Sequence, residues 1–191
     1  MNRKKANQTA TIAMLFAAMI IIEIISQMIF QTFPLPIKPT VTFVPVIIAA
    51  ILFGPRIGAG LGLGMGVMSV IRNSIIIGPS SYLFSPLAPG GSLLSLVIAI
   101  LPRVLIGIVP YFLAKWLSKH PIGLLIAGAS GALTNTIFVV TGAFFLFPNF
   151  LNGDGQRLIG VIVSTLSLIE IIIAALLTAL MVPRLEKFKK S

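Results

Sequence analysis

Long apolar runs, not alternating or one-faced patterns, dominate the chain. They cover residues 9–31, 42–53, 57–77, 93–117, 122–147 and 158–182. Proline, glycine or charge bounds each run, as at the turn Gly54-Pro55-Arg56, and these are the residues that end helices. A membrane-crossing helix needs about 20 apolar residues. Five runs meet that length. The run at 42–53 does so only if its helix begins near Pro39, since proline is tolerated in a first turn; a re-entrant segment is the alternative. The pattern predicts an all-α, polytopic membrane protein of six transmembrane helices, at about 9–31, 40–53, 57–77, 93–117, 122–147 and 158–183, forming one integral-membrane domain over residues 1–191. The basic start Arg3-Lys4-Lys5 is that of a signal peptide, but the apolar stretch behind it is too long and no small-x-small cleavage pattern follows. It reads as helix.

Composition strengthens this reading. Of 191 residues, 57% are apolar and 9% charged, and mean hydropathy is +1.08; soluble domains carry roughly 25% charged residues. A disordered chain and a soluble enzyme are both excluded. Cysteine is absent and His120 is the only histidine, which removes disulfide scaffolds, thiol nucleophiles and zinc sites built on Cys and His. The net charge of +10 raises nucleic acid as a partner, but its placement argues against that. With six crossings, Arg3, Lys4, Lys5, Arg56, Lys115, Lys119, Arg184, Lys187, Lys189 and Lys190 all fall on one side, while the loops of the other hold only Lys38 and Arg157. The positive-inside rule makes the first side cytoplasmic and puts both termini there. The loops expected outside are long and rich in Pro and Gly, including Pro34, Pro36, Pro39, Pro79, Pro86, Pro89 and Gly90-Gly91. Stiffened loops on one face suit a lid over an outward-opening site; plain helix connection is the simpler account.

Polar residues inside the runs carry the functional information. Glu23, Arg72, Arg103, Asn135 and Glu170 lie 12 to 15 residues from the cytoplasmic ends of five different helices. At 1.5 Å per residue that is roughly 18–23 Å above the inner boundary, in the outer half of the hydrocarbon core. Charge at such depth is costly unless paired or facing a wet cavity. The two arginines and two glutamates either pair structurally or line a cavity for a polar solute, and in a mixed case one Arg–Glu pair stiffens the site while the other arginine meets the ligand. An arginine fork suits a carboxylate or phosphate; Asn73 and Asn135 suit amides and hydroxyls. Thr40, Thr42, Ser81 and Tyr82 are loop candidates of lesser weight.

Small residues mark close packing. Ala6, Ala10, Ala13 and Ala17 form small-x3-small pairs on the first helix, a ridge for internal packing or for a partner membrane protein. Gly58, Gly62 and Gly66, with Gly60 and Gly64, ridge the third, pointing to packing against the first and second helices. No nucleotide-binding loop, H-E-x-x-H or G-x-S-x-G occurs, and no internal repeat supports an inverted-repeat carrier.

The segment Phe53-Gly54-Pro55-Arg56-Ile57-Gly58, the alanine ridge and Leu101-Pro102-Arg103, within six helices in this length, resemble the substrate-binding S components of energy-coupling factor (ECF) vitamin transporters. Phe43-Val44-Pro45-Val46-Ile47, Ser69-Val70-Ile71-Arg72-Asn73 and Phe84-Ser85-Pro86 look most like the pantothenate-specific members. The resemblance implies a non-enzymatic vitamin-binding subunit of a bacterial cell membrane. It would lack a cofactor of its own and work with a transmembrane coupling subunit and two cytoplasmic ATPases that use ATP. It also implies that Ala10, Ala13 and Ala17 meet the coupling subunit. Pantothenate carries a carboxylate, an amide and two hydroxyls: Arg72 or Arg103 would hold the first, Asn73 and Asn135 the others. The alternatives are another vitamin (folate, niacin, hydroxymethylpyrimidine), a stand-alone secondary carrier, or a membrane enzyme using Glu23 or Glu170 as base. Folate asks for stacking on its pterin, which the spans supply only through phenylalanine.

Overall fold

The computed structural model describes residues 3–32, 41–117, 120–148, 150–162 and 164–190. Among them the chain is all-helical, with no strand. The helices are α1 (Arg3–Thr32), α2 (Val44–Phe53), α3 (Pro55–Ile75), α4 (Leu94–Ile106), α5 (Val109–Trp116), α6 (Pro121–Leu146), α7 (Gly155–Ile162) and α8 (Thr165–Lys190), with single 3-10 turns at Ser81–Leu83 and Phe150–Gly153. Among the described residues four stretches are long and apolar enough to cross a membrane: Ala6–Met28, Leu94–Trp116, Pro121–Leu146 and Gly155–Phe188.

The short helix α2 is the centre of the fold. Every residue from Val44 to Leu52 is buried, and α1, α3, α5, α6 and α8 surround it. A helix that is apolar on every face belongs in a protein core or in lipid, and here five helices do the enclosing. Its start differs from the one read near Pro39 and Thr40: Val44 opens the helix, after a turn closed by Val44 N–H donating to the Val41 carbonyl at 3.1 Å. Pro45, not Pro39, occupies the first turn, where its missing N–H costs nothing. Ten helical residues span about 15 Å, half of a hydrocarbon core.

Glycine sets how α3 meets α4. A Cβ at Gly58 would overlap the Gly107 carbonyl, one at Gly62 the Arg103 carbonyl, and one at Gly66 would come within 2.9 Å of the Ala99 carbonyl. The two helices are therefore antiparallel and backbone to backbone, with residues four apart on α3 facing residues four apart on α4. This corrects the expectation that the ridge packs on the first two helices. Only Gly58, which also touches Ala50, and Gly64, which faces the Phe16 ring, look that way.

Two of the long runs are divided where continuous helices were expected, the first of them by proline. The run 93–117 divides at Gly107-Ile108 because Pro110, in the first turn of α5, has no N–H for the Ile106 carbonyl. The chain bridges the gap with tighter bonds from Gly107 N–H to Val104 O and Ile108 N–H to Leu105 O. The last run begins earlier, at Gly155, and divides before Thr165. Its end runs on through Arg184 and Lys187, which are helical; likewise Arg3, Lys4 and Lys5 belong to α1. The segment after α3, expected to be a long loop, is bolted down. Asn73 Nδ2 donates to the Ser69 carbonyl (2.8 Å), Ser81 Oγ donates to Asn73 Oδ1 (3.0 Å), and Ser74 and Ser85 hydroxyls lie 2.7 Å apart. Leu83, Ile98, Ala143 and Phe147 form a small apolar cluster that seats this segment on α4 and α6.

Candidate functional site

On α3, Met65, Met68, Ser69 and Arg72 recur at three- and four-residue spacing, so they share one face. That face, with Glu23 of α1, Thr42 ahead of α2 and Arg103 of α4, encloses a cavity of about 20 Å³. This is room for roughly one water molecule. Arg72 Nη1 lies 2.5 Å from Glu23 Oε1, with side chains 31% and 13% exposed respectively. Thr42 Oγ1 donates to Glu23 Oε2 at 2.7 Å, and Gln27 Nε2 reaches Glu23 Oε1 at 3.5 Å. One carboxylate thus ties α1 to α3 and to the entry of α2. Helix α1 itself lies largely open, with only 11% of its membrane-length stretch buried.

Arg103 is held differently. It is 5% exposed, and its Nη1 donates to the Ile98 carbonyl at 2.9 Å. Its guanidinium carbon lies 5.0 Å from the centroid of the Phe84 ring, a distance at which the ring face attracts a cation. Arg72, Glu23 and Glu170 all act on it electrostatically. Yet Nε has no hydrogen-bond partner among the described residues. A buried guanidinium carries five N–H donors, and leaving one unmet costs free energy. The cavity beside Arg103 is where an acceptor would go.

The other candidates divide. Glu170 is buried on α8. Asn135 is buried on α6, and its Oδ1 lacks a partner among the described residues, as does Ser69 Oγ at the cavity wall. Asn73 does not face the cavity: both ends of its amide are spent on Ser69 and Ser81, because it sits one residue past Arg72 and so a third of a turn around α3. Tyr82 packs edge-on against Phe147, centroids 5.5 Å apart, and Ser81 caps its own turn by accepting from Gly78 N–H. Thr40 lies outside the described residues. Ala10, Ala13 and Ala17 are all exposed on the outer face of α1, a surface not buried among the described residues. Sequence reasoning passed over Met65, Met68, Ser69 and Phe84. The helical spacing of the first three with Arg72 was the signal available; Phe84 reaches Arg103 only through the tertiary fold.

Residues 7–182 match the family described as "ECF transporter, substrate-specific component". The chain belongs to that family. This S component is 39% identical over 196 residues to the pantothenic acid transporter PanT of Lactococcus lactis subsp. cremoris (strain MG1363), with 100% of each chain covered. Family and relative are transporters, so the role of this S component is transport and not catalysis. Its long apolar helices agree with a membrane protein.

Proposed function

We propose that this S component binds pantothenate at a site opening to the outside and delivers it inward together with a coupling subunit and two ATPases. In this reading residues 1–191 form one domain in the bacterial cell membrane, crossing it six times with both termini cytoplasmic. The carrying observation is Arg103: a guanidinium buried in an apolar protein, with Nε unmet, beside a polar-walled cavity. Such a group recognises a carboxylate. The full-length similarity to a pantothenic acid transporter supports this carboxylate as that of pantothenate. Arg72, already engaged by Glu23, is the stiffening partner. Asn135 Oδ1 accepts a hydroxyl or amide proton of the vitamin, and Glu170 balances the charge of Arg103.

A drug-sized ligand needs a pocket of about 300 Å³ or more, so the cavity must widen on binding. Helix α1 is the wall that gives, because it is the least buried of the membrane-length stretches. Calorimetric titration of the purified chain in detergent tests the reading, with niacin and folate as controls. One-to-one binding of pantothenate alone is expected. A response to another vitamin without one to pantothenate overturns the substrate, and silence toward all three favours a secondary carrier.

The exposed Ala10, Ala13 and Ala17 form the face that the coupling subunit meets, since small residues let helix backbones approach closely. A Trp at Ala13 or Ala17 is expected to leave pantothenate binding in detergent unchanged and to abolish co-purification with the coupling subunit and vitamin uptake by cells. Full uptake by the Ala13→Trp, Ala17→Trp double variant would remove this assignment.

A further inference from the structure

Pro102 stands inside α4 and is among the most completely buried side chains of the chain. In an uninterrupted helix the N–H of residue 102 would donate to the carbonyl of residue 98. Proline has no N–H, and its ring pushes against that carbonyl. The Ile98 oxygen is thereby left without its helical donor in a buried place, where an unmet acceptor costs free energy. Arg103 supplies the replacement, through Nη1 at 2.9 Å. Side chains on a helix lean toward its N-terminus, so Arg103 reaches back along α4 to an oxygen five residues earlier. The Arg103 backbone has no freedom to follow, because Gly62 presses on its carbonyl, and the Phe84 ring covers the guanidinium.

The choice of nitrogen matters. With Nη1 spent on Ile98, the edge formed by Nε and Nη2 remains, and that edge donates two parallel hydrogen bonds to one carboxylate. Nε has no partner among the described residues. We propose that Pro102 is a positioning residue: by withholding its own N–H it presents the Ile98 carbonyl to Arg103 Nη1 and so turns the Nε–Nη2 edge toward the ligand. This rests on the reading of Arg103 as the carboxylate-binding arginine. Pro102 does not touch the vitamin; it sets the direction in which Arg103 can.

Two measurements on the full chain in detergent decide it. The first is a double-mutant cycle in pantothenate affinity over wild type, P102A, R103Q and the pair, with P102S as a second variant that regains the N–H should P102A fold poorly by its melting curve. Misdirecting the fork is expected to weaken binding about tenfold in the arginine background, the scale of a lost charged hydrogen bond, and to have no further effect once Gln replaces Arg103. Unchanged affinity in P102A, or an equal loss with and without Arg103, overturns the proposal. The second needs no ligand: nitrogen-15 spectra of protein labelled at arginine. The Nε resonance of Arg103 should shift in P102A and that of Arg72 should stay. An unmoved Arg103 resonance overturns the positioning role. If R103Q alone leaves pantothenate binding intact, the carboxylate assignment fails, and the spectra still decide what Pro102 does.

Discussion

Replacing Arg103 with glutamine is expected to weaken pantothenate binding at least roughly 30-fold, because removing one member of a buried charged pair costs about 2 kcal/mol or more. Glutamine keeps an N–H donor near the position of Nε but is shorter, so the change removes the charge and the fork together. It also takes a buried cation out of an apolar protein, where its Nε is unmet. That gain offsets the donor which the Ile98 carbonyl loses, so the melting temperature of the empty protein should stay close to that of wild type, separating loss of binding from loss of fold. The alcohol analogue of pantothenate, which lacks the carboxylate, should lose little between wild type and R103Q. Arg72→Gln is expected to do the converse. It frees Glu23 from its 2.5 Å partner, loosens α1 and lowers the melting temperature, with the smaller effect on affinity. Calorimetry on both variants with both ligands reads all four outcomes. If R72Q loses pantothenate and R103Q keeps it, the two arginines exchange roles.

The second large effect concerns one methyl group. Alanine in place of glycine inside a helix ordinarily stabilises by roughly 0.5–1 kcal/mol, and Gly60→Ala, at an open position with no neighbour to meet, should follow that rule. At Gly62 the sign reverses, because the added Cβ would overlap the Arg103 carbonyl, which is backbone and cannot swing away. Helix α4 must move off α3, at the cost of about 1–3 kcal/mol typical of overpacking. For a chain of this length that lowers the melting temperature by roughly 2–12 °C. Because Gly62 bears on the residue that carries the guanidinium, G62A should also weaken pantothenate binding, and G60A should not. Thermal unfolding in detergent of the two alanine variants side by side checks this. Equal melting points would mean that α3 and α4 are not in backbone contact.

How much of the site was legible in sequence follows from what each residue answers to. Glu23, Arg72 and Arg103 stood out because charge inside an apolar run has no cheap explanation, and the structure puts all three on the wall of one cavity. Asn73 was attractive for its chemistry, and the helix phase, one residue past Arg72, turns it toward Ser81. Tyr82 has a ring neighbour that sequence does not show, Phe147, more than sixty residues away. The glycine ridge of α3 announced a close contact without naming its partner, since an absent side chain is complementary to any backbone. The mixed case for the four charges, one pair and one arginine left over, could be drawn from sequence, but which arginine was left over could not.

Sequence by itself determined that the chain is helical and apolar, that it holds no metal or thiol chemistry based on Cys and His, and that its buried charges are few and grouped. These follow from composition and spacing along one chain, where the cost of burying polar groups acts locally. The tertiary structure decided the rest: that α2 is enclosed by five helices, that α4 lies on the glycines of α3, and that Glu23 takes Arg72. It also decided that the carbonyl freed by Pro102 takes Arg103. Each is a choice among partners distant in sequence, and the choice is made by which surfaces fit without overlap and which buried donors find an acceptor.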